Sequence, residues 1–174
     1  MRNFFLIVLL CAAIFSTDLL AQNGPAPSPA AKTTQTIGTT DVTVAYSRPS
    51  MKGRKIFGEL VPFDAVWRTG ANSATKISFS KDVKVEGQAL AAGDYALFTT
   101  PGKESWKIHF HKFDQPGAGA YGKSTPALTV EVKPVMASEK MESFMIMFDN
   151  LKDTSGEMGL MWDNVYVPIQ LGVM

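Results

Sequence analysis

The sequence predicts an all-β protein, an antiparallel β-sandwich or a related barrel of about nine short strands with little or no helix. Three observations carry this prediction. Apolar and polar residues alternate over short stretches, which is the period of a half-buried strand. Turn residues recur about every 8 to 14 positions. No stretch keeps an apolar repeat of 3.6 residues beyond two helical turns.

The individual elements follow from the same pattern. Alternation predicts strands, in chain order, in DVTVAYS, TKISFS, DYALFTT, SWKIHFHKF, ALTVEVKPV, EMGLMWD and NVYVPIQL. VKVEGQAL predicts a short hairpin that turns at Glu86-Gly87. SFMIMFDNL is apolar on both faces and therefore predicts a central strand. MASEKMES, residues 136–143, is compatible with one helical turn capped by Ser138.

The N-terminal region predicts export. A basic start, MRN, precedes the apolar run FFLIVLLCAAIFS and the small-residue site LLA, so residues 1–21 are interpreted as a signal peptide. An apolar run of about 13 residues is shorter than the roughly 20 that a membrane-spanning helix needs. Residues 22–36, rich in proline and alanine, predict a flexible tether, and residues 37–174 a single β-sandwich domain. We expect a periplasmic or secreted protein without a stable membrane span.

Composition excludes several classes of function. Cys11 is the single cysteine and lies in the predicted signal peptide, so the processed chain has neither disulfides nor thiol chemistry. Seventeen basic residues stand against sixteen acidic ones, for a net charge of +1. Nucleic-acid binding requires a clustered basic face, which this balance disfavours.

Residues 48–72, here named the crossover, form the stretch with most potential chemistry. The crossover opens with a basic group, Arg48, Lys52, Arg54 and Lys55, with no acidic residue before Glu59. Guanidinium forks and N–H groups exposed at glycines can hold an anion such as phosphate, sulfate, a uronic acid or a carboxylate. The alternative is that these cations are solvated or pair with nearby carboxylates.

The second half of the crossover contains WRTGAN. Trp67 and Arg68 can stack on and hydrogen-bond a sugar or planar ligand, with Asn72 adding a directional hydrogen bond. Tyr121, in a glycine-rich loop, is a further candidate for this site. The alternative is structural: Trp67 closes one end of the sandwich, while Arg68 and Asn72 satisfy buried carbonyls.

The same stretch carries a family resemblance. The S-R-P opening, the K-G-R…F-G turn, the W-R-x-G-A-N-x-A-T run and the G-x-Y-x-L-F…P…W hairpin resemble the secreted bacterial family of unknown function DUF2911. The resemblance covers roughly residues 37 to 170. It implies an exported, mostly β domain and no particular activity.

Two further groups of residues suggest metal chemistry. His109 and His111 lie two apart on a predicted strand, so both rings face one side, a spacing that suits zinc or copper if Asp94, Asp114 or Glu131 adds a ligand. The alternative is two half-exposed strand residues. Methionines cluster in the C-terminal third, where thioethers can bind copper(I), although their alternation with Phe and Ile favours core packing. No cofactor is therefore assigned.

The leading interpretation is an exported, non-enzymatic β-domain. It binds a small anionic or sugar-like ligand, or an envelope protein, through Arg48, Arg54, Trp67, Arg68 and Asn72. No nucleophile elbow, zinc-protease, P-loop or dinucleotide motif is present in the sequence. The alternatives are an envelope or glycan hydrolase, with or without the assistance of a metal, and a purely structural or interaction domain.

Overall fold

The computed structural model describes residues 24–173 except 116, 122 and 123. Within these residues ten strands form two antiparallel sheets, and the predicted all-β class is confirmed. The described residues contain one short helix, α1, which spans Ala118–Tyr121. The strands are β1 Ala30–Ile37, β2 Thr40–Ser47, β3 Thr75–Phe79, β4 Val83–Val85, β5 Gln88–Leu90, β6 Gly93–Thr100, β7 Trp106–Lys112, β8 Leu128–Val132, β9 Val135–Lys152 and β10 Ser155–Val173.

The two sheets differ in size. The larger has the order β1-β2-β3-β6-β7-β8 and the smaller the order β5-β4-β10-β9. Four of the eight neighbouring pairs, β1-β2, β4-β5, β6-β7 and β9-β10, are hairpins, in which consecutive strands joined by a short turn pair antiparallel. The predicted β4–β5 hairpin is present, and both of its turn residues, Glu86 and Gly87, have positive φ angles, 48° and 78°.

The core lies between the sheets. It consists of the apolar residues that alternate with polar ones along each strand. In β2, Val42, Val44 and Tyr46 are buried while the intervening residues are not. Complete burial of one such side chain contributes about 1.5–3 kcal/mol. The largest fully buried residues are Trp162, Tyr95, Tyr121, Phe110, Phe144, Ile37, Ile56, Ile77, Leu97, Ile108, Met158 and Leu160.

Strand β10 bends back on itself near Asp163, where φ is 53°. A straight 19-residue strand would separate its ends by about 60 Å at roughly 3.3 Å per residue. Instead the N–H of Val173 donates to the carbonyl of Thr154 at 2.9 Å. Gln170 Nε2 likewise donates to Glu157 Oε2 at 2.7 Å. The two halves of β10 therefore lie side by side, and the second half pairs with β4.

The tether prediction is wrong for residues 30–36, which belong to β1. This strand carries mainly small and polar residues, so it lacks the apolar alternation of the others. Backbone pairing with β2 along its whole length holds it in the sheet. Thr34 Oγ1 and Thr43 Oγ1 add a cross-strand hydrogen bond of 3.0 Å. The predicted signal peptide, residues 1–21, lies outside the described residues.

Two expectations for β9 are also wrong. Residues 136–143 are extended and form the first half of β9 rather than a helical turn. The strand lies at the edge of the smaller sheet rather than at its centre. Phe144 and Ile146 are buried, but the methionines that alternate with them are only half-buried. The outer face of β9 is thus apolar at these two positions and only partly covered.

Candidate functional site

The crossover leaves β2, covers one end of the sandwich and joins its two sheets. At its start, the N–H of Met51 donates to Glu142 O at 2.8 Å and the N–H of Phe144 to Pro49 O at 2.9 Å, which attaches it to the edge of β9. Further on, Trp67 and Thr99 exchange backbone hydrogen bonds of 2.7 and 2.9 Å, which attaches it to β6. The crossover is therefore an ordered link between the sheets rather than a solvated loop.

The backbone at Thr69-Gly70 is strained. Thr69 has a φ of 53°, a left-handed value that a β-branched residue rarely adopts. Its fully buried side chain donates to Thr99 Oγ1 at 3.2 Å, and its carbonyl accepts from Thr75 Oγ1 at 2.6 Å. Gly70 has a φ of 152°, and a Cβ there would lie 3.0 Å from Thr75 Oγ1 and 3.1 Å from the carbonyl of Ser47. Such strain costs about 1–3 kcal/mol per residue and is concentrated at functional sites.

Aromatic rings fill the space beneath the crossover. Trp67 stacks on Trp162 with centroids 5.7 Å apart and planes inclined by 21°. Phe144 and Phe57 meet the Trp67 ring edge-on at 5.1 and 6.4 Å. The Trp67 indole N–H donates to Gly70 O at 3.1 Å, which fixes the ring against the strained turn. Trp67 therefore helps to close the end of the sandwich, as the structural alternative expected.

A surface groove with a volume of about 330 Å³ opens above this stack. We name it the crossover groove, and its lining comprises Ser28, Pro49, Arg54, Leu60, Val61, Trp67, Arg68, Gly70, Ala71, Asn72 and Trp162. Four of the five predicted ligand-binding residues thus lie in one groove. Among the described residues, this lining contains two arginines and no acidic residue.

Arg48 is the predicted site residue that the groove does not include. Its backbone N–H donates to Pro29 O at 2.9 Å and its Nε to Phe144 O at 3.0 Å. The side chain is half-buried. Arg48 therefore links the start of the crossover to β9 through a hydrogen bond from its charged guanidinium to a backbone carbonyl. This contact is structural.

Arg54 and Arg68 keep most of their donors available. Arg54 donates through Nε to Met51 O at 2.9 Å and through Nη2 to Ser50 O at 2.6 Å. Arg68 donates through Nη1 to Asn72 O at 2.8 Å. Within the described part of the chain neither guanidinium forms an ion pair, and both side chains are exposed. Since a guanidinium has five N–H donors, each retains several for a ligand.

Asn72 supports the groove from the other side. Its backbone is left-handed, with a φ of 59°. Its side-chain amide donates to Ser28 O at 3.3 Å and to Ser47 Oγ at 3.4 Å. The amide therefore holds the segment before β1 against the crossover, and the Asn72 carbonyl positions Arg68.

Sequence reasoning missed Trp162 and Ser28, which complete the groove. Trp162 lies on β10, about 90 residues after the crossover, and reaches the site only because the two sheets stack. Ser28 precedes β1 in the segment that the sequence predicted as a tether. Neither residue carries a local signal that indicates its position in the site.

Tyr121 and the two histidines lie elsewhere, on the outer face of the larger sheet. The prediction that His109 and His111 share a face is confirmed, with ring centroids 6.4 Å apart. Tyr121 is buried against Phe98 and His111 at 5.4 and 5.8 Å. It therefore packs the segment around α1 onto the sheet and does not join the crossover groove.

Both imidazoles are used in hydrogen bonds. His109 contacts Thr100 Oγ1 through Nε2 at 2.9 Å and Thr129 Oγ1 through Nδ1 at 3.0 Å. His111 Nδ1 contacts Ser124 Oγ at 2.8 Å. Burial lowers the pKa of both histidines, and for His109 the neighbouring charges add to the effect, so the neutral rings are favoured.

Among the described residues, none of the candidate third ligands, Asp94, Asp114 and Glu131, forms a metal-binding group with these rings. In residues 24–115, 117–121 and 124–173 no group of three or more His, Cys, Asp or Glu side chains can hold a metal ion. Asp94 instead pairs with Lys76 at 2.7 Å, which holds the pKa of the Asp94 carboxyl below its usual value. His111 is also buried rather than half-exposed, with 5% of its surface accessible.

A second cavity of about 290 Å³ lies on the other flank of the crossover. Phe57, Phe63, Trp106 and Val165 give it mainly apolar walls, with Lys103 among the lining residues. Lys55, predicted as part of the basic group, also lines this cavity and pairs with Glu59 at 3.2 Å. The basic residues of the crossover are therefore divided between two surfaces.

Comparison with protein families identifies the chain. Residues 28–171 match the family model described as a protein of unknown function, DUF2911, and the chain therefore belongs to this family. Neither the curated proteins nor the solved structures gave a match. Within the part of the chain that the structure describes, no helix has the length and apolar character needed to cross a membrane.

Proposed function

We propose that this member of the DUF2911 family is an exported, non-enzymatic binding domain whose crossover groove holds a small organic anion. One observation carries the proposal: Arg54 and Arg68 face a groove whose described lining contains no acidic residue. Export is supported by the N-terminal sequence, which has the organisation of a signal peptide.

The size and lining of the groove favour a particular kind of anion. A volume of about 330 Å³ is at the lower end of the range for small-molecule sites, roughly 300–1,000 Å³, and suits one sugar or one aromatic acid. Guanidinium groups recognise carboxylates through paired hydrogen bonds. Trp67 offers an aromatic wall beside these donors. A uronic acid or an aromatic carboxylate combines both features.

The rigid surroundings of the groove also support binding. Thr69 and Asn72 hold left-handed conformations on either side of Gly70, and buried hydroxyls fix this turn. A site that is ordered before its ligand arrives loses less conformational entropy on binding. The strain at Thr69 is thus accounted for by a role in presenting Arg68 and Asn72.

A thermal-shift screen tests the proposal. The purified protein is heated with glucuronate, galacturonate, benzoate, phosphate and sulfate, and with glucose and galactose as uncharged counterparts. A ligand at about 100 times its Kd stabilises a fold by about 2.7 kcal/mol. For a domain of this size that raises Tm by roughly 5–10 °C. We expect at least one organic acid to do so while its neutral counterpart does not.

Matched variants locate the effect. Arg68→Gln should abolish the shift because it removes a groove cation. Lys52→Gln removes a charge from the same crossover but lies outside the groove lining, so it should keep the shift. An equal response in both variants, or a shift with neutral sugars alone, would overturn the anion proposal.

A structural role is the second candidate, and specific contacts favour it. Arg48 donates to Phe144 O, Arg54 to two carbonyls of its own loop, and Trp67 packs on Trp162. In this case the crossover only closes the sandwich. No compound in the screen would then raise Tm, and Arg54→Gln would lower the free energy of unfolding by about 1–3 kcal/mol.

A further inference from the structure

Three methionines lie together on the outer face of the smaller sheet, away from the crossover groove. Met145 and Met161 are direct cross-strand partners on β9 and β10, and Met147 follows two residues after Met145. Phe144 and Ile146 point into the core, so the alternating methionines point outward. All three methionines are half-buried.

The register brings their sulfur atoms within reach of one another. Directly opposed residues have Cβ atoms about 4.5–5.5 Å apart. Two positions along a strand span about 6.6 Å. Each methionine has three rotatable side-chain bonds, so the three thioethers can converge above the sheet. Met141 is not included, because the pairing of β9 and β10 changes register between Met145 and Met141, and Met141 lies opposite Asp163 instead.

Polar residues of β10 near this methionine triad have partners of their own. Asp163, two residues after Met161, pairs with Lys140 at 3.2 Å. Glu157 is buried, and its carboxylate accepts hydrogen bonds from Tyr166, Gln170 and Asn150. Burial and this carboxylate raise the pKa of Tyr166 far above its usual value, so the phenol remains protonated. The Tyr166 ring lies against Gly159, the cross-strand partner of Met147. It fits there because glycine has no Cβ that would collide with the ring.

We propose that Met145, Met147 and Met161 form a binding site for copper(I). Neutral thioethers are soft ligands, and soft ligands select copper(I) over zinc, calcium or magnesium. The ion is bound as copper(I) without a redox step, and the site is independent of the crossover groove.

Silver(I) is the probe for the test because it is a soft monovalent ion that stays in one oxidation state. The protein is labelled with ¹³C at the methionine methyl groups, and Cys11→Ser removes the one thiol of the chain. Titration with silver nitrate should shift the methyl signals of Met145, Met147 and Met161 together and saturate at one equivalent. Core Met158 and exposed Met136 should not move at that point.

Met136 provides the matched control, since it lies on the same strand and exposes 67% of its surface. Met161→Leu should lose most of the silver binding, and Met136→Leu should bind as the parent does. Copper(I) under anaerobic conditions should reproduce this order in competition with a chromogenic chelator. Shifts that begin at Met136, or that spread over all methionines at similar concentrations, would overturn the proposal. The titration of the parent protein decides between these outcomes even if a variant fails to fold.

Discussion

The crossover groove and the outer face of β7, which carries His109 and His111 and is here named the histidine face, both contain residues that can bind ligands. They differ in how many of their hydrogen-bonding groups are left unused by the protein itself. In the groove, Arg54 and Arg68 use a minority of their N–H donors on carbonyls of their own loop. On β7, His109 uses both ring nitrogens on threonine hydroxyls, and His111 is buried under Tyr121. Residue type suggested chemistry in both places, whereas hydrogen-bond partners separate a candidate site from a packed surface.

Among the predicted substitutions, the largest loss of stability is expected at the strained turn of the groove, at Gly70. Gly70→Ala places a Cβ 3.0 Å from Thr75 Oγ1 at a φ of 152°, so we expect the free energy of unfolding to fall by about 2–3 kcal/mol. Gly53→Ala is the control, because its φ of 74° is also left-handed but nothing lies within 4 Å of the added atom. It should lose about 1 kcal/mol. Urea unfolding measures both, and equal losses would show that the tight packing at Gly70 is unimportant.

Arg48 should behave as a structural residue and Arg68 as a surface residue. Arg48→Gln removes a charged hydrogen bond to Phe144 O, which should cost about 1.5–3 kcal/mol. Arg68→Gln removes one hydrogen bond at an exposed position and should change stability by no more than about 0.5 kcal/mol. Urea titration of the two variants in parallel decides this. Similar losses of unfolding free energy in the two variants would contradict the structural role of Arg48 and the surface role of Arg68.

The histidine face predicts a pH dependence of stability. The folded pKa of His109 and of His111 is below the usual 6.5, so the unfolded chain binds more protons in this range. Stability is therefore complete above about pH 6.5 and falls as the pH drops toward the folded pKa values. Thermal melts between pH 7 and 5 should show this decrease, and the double variant His109→Gln, His111→Gln should flatten it. A parent protein that gains stability over that range would contradict the assignment of neutral, buried rings.

A smaller acid-side effect belongs to the surface pair of Asp94 and Lys76. The pKa of Asp94 is lowered chiefly by its hydrogen bond to Lys76, so its contribution is present above about pH 3.8 and is lost as the pH falls further. The pair is largely exposed, and solvent screening keeps its contribution small. Asp94→Asn should leave the melting curve at pH 7 nearly unchanged. A Tm loss comparable to that of Arg48→Gln would show that the pair is more than a surface contact.

Much of the fold could be predicted because burial follows the side-chain alternation. The alternation of Val42, Val44 and Tyr46 indicates β2 directly. The turn residues Glu86-Gly87 indicate the hairpin of β4 and β5. Strand β1 was not predicted because it lacks an apolar alternation. Its backbone hydrogen bonds to β2 hold it in the sheet, and such bonds leave no pattern in the sequence. The bend of β10 at Asp163 could not be predicted from the sequence either, because it depends on contacts such as that between Val173 and Thr154, which are far apart in the chain.

The candidate site was predictable in its local part only. Arg54, Trp67, Arg68 and Asn72 stand close in sequence, and the crossover folds over a short distance, so they meet. Trp162 arrives through the stacking of two sheets, and Arg48 is turned away by its bond to β9, neither of which sequence spacing encodes. The methionines illustrate the same limit: Met158 fills the core as expected, while Met145 and Met161 meet on the outer face through strand register.

The most direct test of the central claim is calorimetric titration of one organic acid, chosen from the thermal screen, into the parent protein and into the double variant Arg54→Gln, Arg68→Gln. We predict saturable binding at one site in the parent and loss of that binding in the variant, while the variant still unfolds cooperatively with a Tm lowered only by the lost carbonyl contacts of Arg54 and Arg68. Binding of equal strength to both proteins would contradict it, because the two groove arginines would then have no part in recognition.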